Sequence, residues 1–461
     1  MHQSDYRLIL KNKLNKTVSA IMLSCGLALS INIHAQSPET TAEVSLPSPL
    51  SLTLLLDKYA AKAPAISLQN AQVDFAKATL DANQSPNQWQ ANIDGRLGFR
   101  EFAKQEQDHN LLALHIGKVI YDFERLQSQQ LSDEAKVEQQ YLSLKASENR
   151  QRLQVVKAYL NVVLADFQYR IDNEAMAIEY VGFDKKKDKH LIGQISDVDL
   201  LAAEQEYQAA LVGRMKAEQA QFATRIELAN VIGLPNARPD ELKFPDLTSF
   251  KKRSVKGVSL ESLQQQVLKD NIELQALKQA QQAQVYAIQK AQNLSSPTLR
   301  GDAWLGKLSS HPEVREGSWK AALSIDVPLY DGGQSVLATK QAQAQLALVN
   351  AQVQQLEQQL RSQVASIYFQ LTLLKAEYKQ HQLFGDYADL YLDLSRALYE
   401  NESATDLGDS MVRLSKANYQ MVAWEFKQAL LWLELDYLTG QQVALSRVFA
   451  PAQNLKTANN N

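Results

Sequence analysis

The stretch Trp89-Gln90-Ala91-Asn92-Ile93-Asp94-Gly95-Arg96-Leu97-Gly98-Phe99 alternates at every step. Trp89, Ala91, Ile93, Gly95, Leu97 and Phe99 share one face of an extended chain; Gln90, Asn92, Asp94, Arg96 and Gly98 share the other. A period of two marks a strand with one apolar and one wet face. Trp319, Ala321, Leu323, Ile325 and Val327 oppose Lys320, Ala322, Ser324 and Asp326 in the same way. Leu112, Leu114 and Ile116 face away from Ala113, His115 and Gly117, and Leu299, Gly301, Ala303 and Leu305 away from Arg300, Asp302 and Trp304. Strands are therefore expected at about 89–100, 111–121, 298–308 and 318–328, each long enough to cross a bilayer when tilted. Charged loops at 101–110 and 309–317 would join them. A half-buried soluble sheet has the same alternation. Trp89, Phe99, Tyr121 and Trp319 at the strand ends suit a membrane interface and favour a barrel. Four strands cannot close a barrel that leaves a pore, so several copies would each contribute four.

Outward from the strands, one order of elements occurs twice. Ser85-Pro86 before Trp89 recurs as Ser296-Pro297 before Trp304. Val119-Ile120-Tyr121-Asp122-Phe123 recurs as Val327-Pro328-Leu329-Tyr330-Asp331-Gly332-Gly333. The segment from Gly193 to Leu200 recurs as Glu400 to Leu407, and Val231-Ile232-Gly233-Leu234 as Tyr437-Leu438-Thr439-Gly440. The first repeat covers 36–234, a proline-bearing linker 235–258, and the second repeat 259–461. Each repeat reads helix, strand, loop, strand, very long helix, break, helix. The first helix spans about 52–83, with a break at Pro64. From 126 to 190 there is no proline and no glycine except Gly182. About 60 residues at 1.5 Å each make a rod of roughly 90 Å, which must pack lengthwise on other helices. Leu142, Leu153, Val156, Leu160, Val163 and Phe167 recur at helical spacing. Leu346, Val349, Val353, Leu356, Leu360, Val364, Ile367 and Leu371 do so in the matching rod, 334–399, implying a coiled-coil-like seam.

At the start of the chain, Arg7, Lys11, Lys13 and Lys16 precede an apolar run at 18–33, and Ala35 offers a cleavage point before Gln36. That order is a secretory signal peptide, residues 1–35. No later segment has 18 uncharged apolar residues, so a membrane-crossing part must be made of strands. Lys+Arg is 48 and Asp+Glu 51, a net charge of −3 without the footprint of nucleic-acid binding. Only 17 glycines and 12 prolines interrupt 461 residues, which suits long helices. One cysteine rules out a disulfide framework and a cysteine-based zinc site. His109, His115, His190, His311 and His381 are scattered without a His-Glu-x-x-His pair. Asp197 and Asp199 would diverge on a helix, so neither an enzyme nor a metal or cofactor site is expected.

The segments Ile116 to Phe123, Leu323 to Gly333, Gly193 with Ser196 and Asp199, and Leu438-Thr439-Gly440 together resemble the TolC-type outer membrane efflux and secretion channels. The resemblance runs from Leu52 to about Gln442. It implies a mainly α fold with membrane β: a homotrimer with a 12-stranded outer membrane β-barrel on a periplasmic α-helical barrel. It also implies an exit duct that works with a periplasmic adaptor and an inner-membrane RND or ABC transporter, sits in outer membrane lipid and binds no nucleic acid. A soluble periplasmic coiled-coil adaptor or scaffold is the alternative. Tyr121 and Asp122, and Asp331, Gly332 and Gly333, would form the strand-to-helix turns; no Gly-Lys-Ser/Thr follows to make a phosphate loop. Asp406 and Asp409, at i, i+3, would face the axis as two acidic rings, and Asp199, Glu402 and Tyr399 complete the candidate periplasmic gate. Where the family pairs its first-tip aspartate with a basic residue and a tyrosine, this sequence has Glu402 and Ala397, with Arg396 and Tyr399 nearby. Gly193, Ser196, Glu400, Asn401 and Ser403 are the candidate adaptor contacts at the tips. Lys185-Lys186-Lys187 reads as a solvated tip face.

Overall fold

The computed structural model describes residues 46–441, except 97, 103, 104, 109, 110, 308–317 and 402–406. The expected signal segment and the loop expected at 309–317 lie outside the described residues. Irregular helical turns at Leu52–Leu54, Leu55–Tyr59 and Ala60–Lys62 lead into α1, Pro64–Gln84. Pro64 sits at the first helical position, where its missing N–H leaves no bond unmade and its fixed φ suits the helix. The break expected there is thus a helix start.

Six strands follow the repeat order: β1 Gln90–Arg96, β2 Phe99–Phe102, β3 Gln105–Asp108, β4 Leu111–Tyr121, β5 Thr298–Lys307 and β6 Trp319–Asp326. Four make one antiparallel sheet in the order β1-β4-β5-β6. The strand expected over 89–100 ends at Arg96, and β2, which takes in the end of that span, pairs instead with β3 in a separate hairpin reaching into the expected charged loop at 101–110. A hairpin needs only local backbone pairing across a short connection, so charged composition does not exclude it. Two rows run across the four-stranded sheet. Ile93, Leu114, Leu305 and Trp319 are in register, and so are Asn92, His115, Trp304 and Lys320 one step away. The apolar row is exposed, Ile93 at 74% and Trp319 at 69%. The two faces of the sheet therefore divide as the alternation predicts. A bulge between Val119 and Tyr121 ends the regular pairing of β4 with β5.

Two helices of 67 residues dominate: α2, Arg125–Leu191, and α6, Gln334–Glu400. The other helices longer than one turn are α3 Asp197–Val231, α4 Leu260–Asp270, α5 Ile272–Gln292 and α7 Leu407–Leu438. Next to the sheet, the lateral order is α1-α2-α5-α6; farther along the rods it becomes α3-α2-α7-α6. Among the described residues no helix is long and apolar enough to cross a membrane.

The core lies where the two tiers meet. Val155, Val156, Tyr159 and Leu160 of α2 pack there with Leu360 and Val364 of α6, Phe426 and Leu433 of α7, and Leu50 and Leu55. Each rod contributes its seam residues, buried at threes and fours. The segment 235–258 wraps this level. Leu50 bridges Leu242 in parallel, and the buried Tyr159 hydroxyl donates to the Leu50 carbonyl at 2.8 Å and also reaches that of Lys243. Burial holds that hydroxyl above its ordinary pKa. Arg253 grips Asp436 through two bonds of 2.7 and 2.6 Å and lies 4.3 Å above the Trp432 ring.

Candidate functional site

The chemistry concentrates at the two ends of the rods, which a 67-residue helix separates by about 100 Å. At the far end α2 turns into α3. Gly193 takes the left-handed conformation, φ 74°, that a helix stop favours. Its N–H reaches the His190 carbonyl and that of Gln194 the Lys189 carbonyl, both at 2.9 Å, completing a Schellman stop. Ser196 then caps α3: its hydroxyl accepts from the Asp199 N–H at 3.2 Å, and the Asp199 carboxylate accepts from the Ser196 N–H at 3.3 Å and hydroxyl at 2.7 Å. The Ser196 hydroxyl, then its backbone N–H and the charge of Lys186, hold the Asp199 carboxyl below the usual carboxylate range. Within this chain the Asp199 carboxylate is committed to the cap. His190 Nε2 lies 2.6 Å from Asp197. Tyr207 stacks on Phe183, with centroids 5.8 Å apart, and meets Tyr180 at 5.4 Å. Lys185, Lys186 and Lys187 are all exposed.

The second tip is built differently. Glu400 is the last residue of α6, and Asn401 closes the helix with its N–H and Nδ2 donating to the Ala397 carbonyl at 3.3 and 2.8 Å. Its φ of −92° is not left-handed, so the glycine of the first tip has no backbone need to recur here. Tyr399 is 63% exposed, and Arg396 lies 3.9 Å from Asp393. Asp409 is itself exposed in the first turn of α7, next to the buried Ser410. Glu402, Ser403 and Asp406 lie outside the described residues, as does any pairing of Asp406 with Asp409.

Two tip features escaped the sequence reading. A Cβ on Gly408 would stand 3.0 Å from both Cγ1 and Cγ2 of Ile178, so α7 meets α2 at a point that only glycine fits without adjustment. Ser415 reinforces the contact by donating to Glu174 at 3.2 Å. Arg413, on α7, lies over Tyr391 and Tyr387 of α6, 5.0 and 5.9 Å from their centroids. A glycine directly after the repeated tip segment 400–407 was the available signal for the first; nothing in the sequence spacing marks the second.

At the sheet end the two strand-to-helix turns are variants of one device. After Tyr121, the buried Asp122 accepts from the Leu126 N–H at 2.8 Å. In the second repeat Asp331 accepts from the N–H groups of Gly333 and Ser335 at 2.8 and 2.9 Å. Both turns place two consecutive residues at positive φ: Phe123 and Glu124 in the first, Gly332 and Gly333 in the second. Among the described residues no group of three metal-ligating side chains converges.

Residues 263–441 match the family described as outer membrane efflux protein. The alkaline protease secretion protein AprF of Pseudomonas aeruginosa is 22% identical over 295 residues, 62% of this chain and 59% of AprF. The chain thus spans less than two thirds of that relative's length. Among solved structures, the outer membrane protein VceC of Vibrio cholerae superposes with a TM-score of 0.67 at 14% identity, covering 85% of this chain and 96% of VceC. The Campylobacter jejuni CmeC outer membrane channel gives 0.69 at 12% identity, covering 86% and 87%. The Neisseria gonorrhoeae MtrE outer membrane channel, in its open state, gives 0.64 at 17% identity, covering 85% and 89%. The second repeat thus carries the similarity to the outer membrane efflux protein family, and the chain has the fold of the solved outer membrane channels.

Proposed function

We propose that three copies of this chain close into a duct through the outer membrane and the periplasm, the exit passage of a tripartite efflux pump or a type I secretion system. The observation that carries this reading is a matched pair of open edges at every level of the molecule. Among the described residues of the sheet, β1 and β6 each have one partner strand and one open edge. In the tier below, α1 and α6 are the end helices; in the tier beyond, α3 and α6 are. One side is thus β1, α1 and α3, and the other is β6 and α6 throughout. Both sides leave large apolar residues exposed: Leu68 and Phe75 on α1, Leu201 and Phe222 on α3, Val336, Leu337, Phe369 and Leu390 on α6. A head-to-tail contact of unlike edges generates a ring where the rotation between copies closes. Three copies give twelve strands, enough to leave a lumen.

The apolar face of the sheet then meets lipid and the other face lines water. At the far end, Asp409 and Asp406, with Glu402 and Tyr399 beside them, narrow the passage as an acidic constriction that binds cations. The exposed tips, with Gly193, Ser196, Glu400, Asn401 and Ser403, are the docking points for a periplasmic adaptor, which in turn couples to an inner-membrane transporter. The reading gives the chain a conduit's role and not an enzyme's.

The test is fractionation followed by planar-bilayer recording. The duct reading expects a detergent-requiring trimer in the outer membrane that conducts, and a soluble protein that washes from the periplasm would overturn it in favour of an adaptor or scaffold. Alanine at both Asp406 and Asp409 is expected to raise single-channel conductance and weaken block by multivalent cations added from the tip side.

A further inference from the structure

The wet face of the sheet is not uniformly small or polar. Asn92, His115, Trp304 and Lys320 form one row across all four strands. The His115 and Trp304 rings are parallel to within 5° with centroids 4.6 Å apart, and Lys320 Nζ lies 4.7 Å from the Trp304 centroid. Both distances equal the spacing between neighbouring strands. Groups that stack face to face at the strand spacing must stand upright from the sheet, because rings lying flat on it would meet edge to edge. The row is therefore a ridge.

The rows on either side carry no ring. Asp94, Ala113 and Gly306 are in register on one side of it, and Gln90, Gly117, Asp302 and Ala322 on the other. The ridge is also braced. His115 Nε2 lies 2.9 Å from Asp302 and its Nδ1 3.6 Å from Asp94. Arg300 donates to the same Asp302 oxygen at 2.8 Å. This brace fills the space over Gly117, where a Cβ would come within 2.5 Å of the Asp302 carboxylate and 2.7 Å of the Arg300 guanidinium. Glycine at 117 is thus the condition for packing the brace against the backbone.

We infer that this ridge is a selectivity element inside the barrel, separate from the tips, in which Trp304 sets the width of the lumen and Lys320 the charge that a passing solute meets. The inference rests on the duct reading. Three copies bring three Trp304 fins and three Lys320 ammonium groups to one height of the lumen. Lys320 stands on the strand that receives the next copy, so its charge falls near each junction between copies. A belt of this kind retards bulky solutes by the indoles and favours anionic or neutral over cationic ones by the ammonium groups.

The experiment uses the full-length trimer in a planar bilayer, with a graded series of poly(ethylene glycol) added on the barrel side alone. That side reaches the ridge without passing the tips. Trp304→Ala is expected to admit polymers larger than the wild-type cut-off, and Trp304→Phe to stay near wild type. Lys320→Glu, on an exposed edge-strand position, is expected to shift the reversal potential in a salt gradient toward cations. A conducting wild type together with an unchanged cut-off in Trp304→Ala and an unchanged reversal potential in Lys320→Glu would overturn the inference. A wild type that forms no channel strikes the duct reading instead.

Discussion

Asp122 and Asp331 each hold the first turn of a long helix by accepting the N–H four residues on, yet only the second turn writes its positive-φ requirement in glycine. Each aspartate satisfies backbone N–H groups that the helix itself cannot. Asp122→Ala is expected to cost about 1 kcal/mol, read as a lower midpoint in thermal unfolding. The strand residues obey a sharper rule. Ile325 is on the apolar face, 66% exposed, while Ser324 is its neighbour on the wet face, where its hydroxyl reaches the Arg300 carbonyl at 3.4 Å. Ile325→Arg should hinder membrane assembly, since arginine on a lipid face costs roughly 2–4 kcal/mol at mid-bilayer. Ser324→Arg should assemble and alter conductance, and equal assembly defects in the two would contradict the assigned faces. The tip carries a pH dependence of definite sign. The Asp199 carboxyl titrates below its ordinary value of 3.8, so its cap contributes fully above that value and is lost as pH falls through the lowered one. Protection of the Ser196 amide, whose N–H the carboxylate accepts, should therefore persist at pH 5 and fall in strong acid relative to its intrinsic exchange rate, and Asp199→Asn should remove the transition.

Elements with a long, uninterrupted period were the ones that the sequence revealed best. The rod expected at 126–190 runs Arg125–Leu191, because nothing in that span breaks a helix and its apolar seam repeats without a gap. Strand faces were legible for the same reason: a period of two leaves no freedom about which residues point together. The β2–β3 hairpin was legible only at its start, Phe99 and Arg100, since the polar run Gln105–Asp108 carries no apolar face to betray a strand. The ridge was not legible, because His115, Trp304 and Lys320 lie on three different strands and only the register unites them. The close approach of α7 to α2 at Gly408 depends likewise on a neighbour remote in sequence. Gly408→Val should push α7 away from Ile178 and quicken amide exchange in the first turn of α7. Adding Ile178→Ala should restore much of the protection, a coupling that a merely local helix effect would not produce.

At the scale of the whole molecule, unlike edges make the assembly of the proposed ring directional. Phe75, 75% exposed on α1, belongs to one edge, and Leu337, 65% exposed on α6, to the other. Phe75→Lys is expected to weaken the trimer without unfolding the protomer, read as a shift to monomer in light scattering at unchanged helical content. The free backbone edges of β1 and β6 have a genetic consequence. A copy whose β6 is blocked, for instance by a proline that removes an outward N–H, still offers an intact β1 and still joins a neighbour. Such a copy enters rings and leaves each one unsealed, so it poisons its companions instead of being left out. If half the copies in a cell carry the block, only about one ring in eight assembles from sound copies alone. An edge mutation of this kind would therefore behave as a dominant allele, whereas one that unfolds the protomer outright would be recessive.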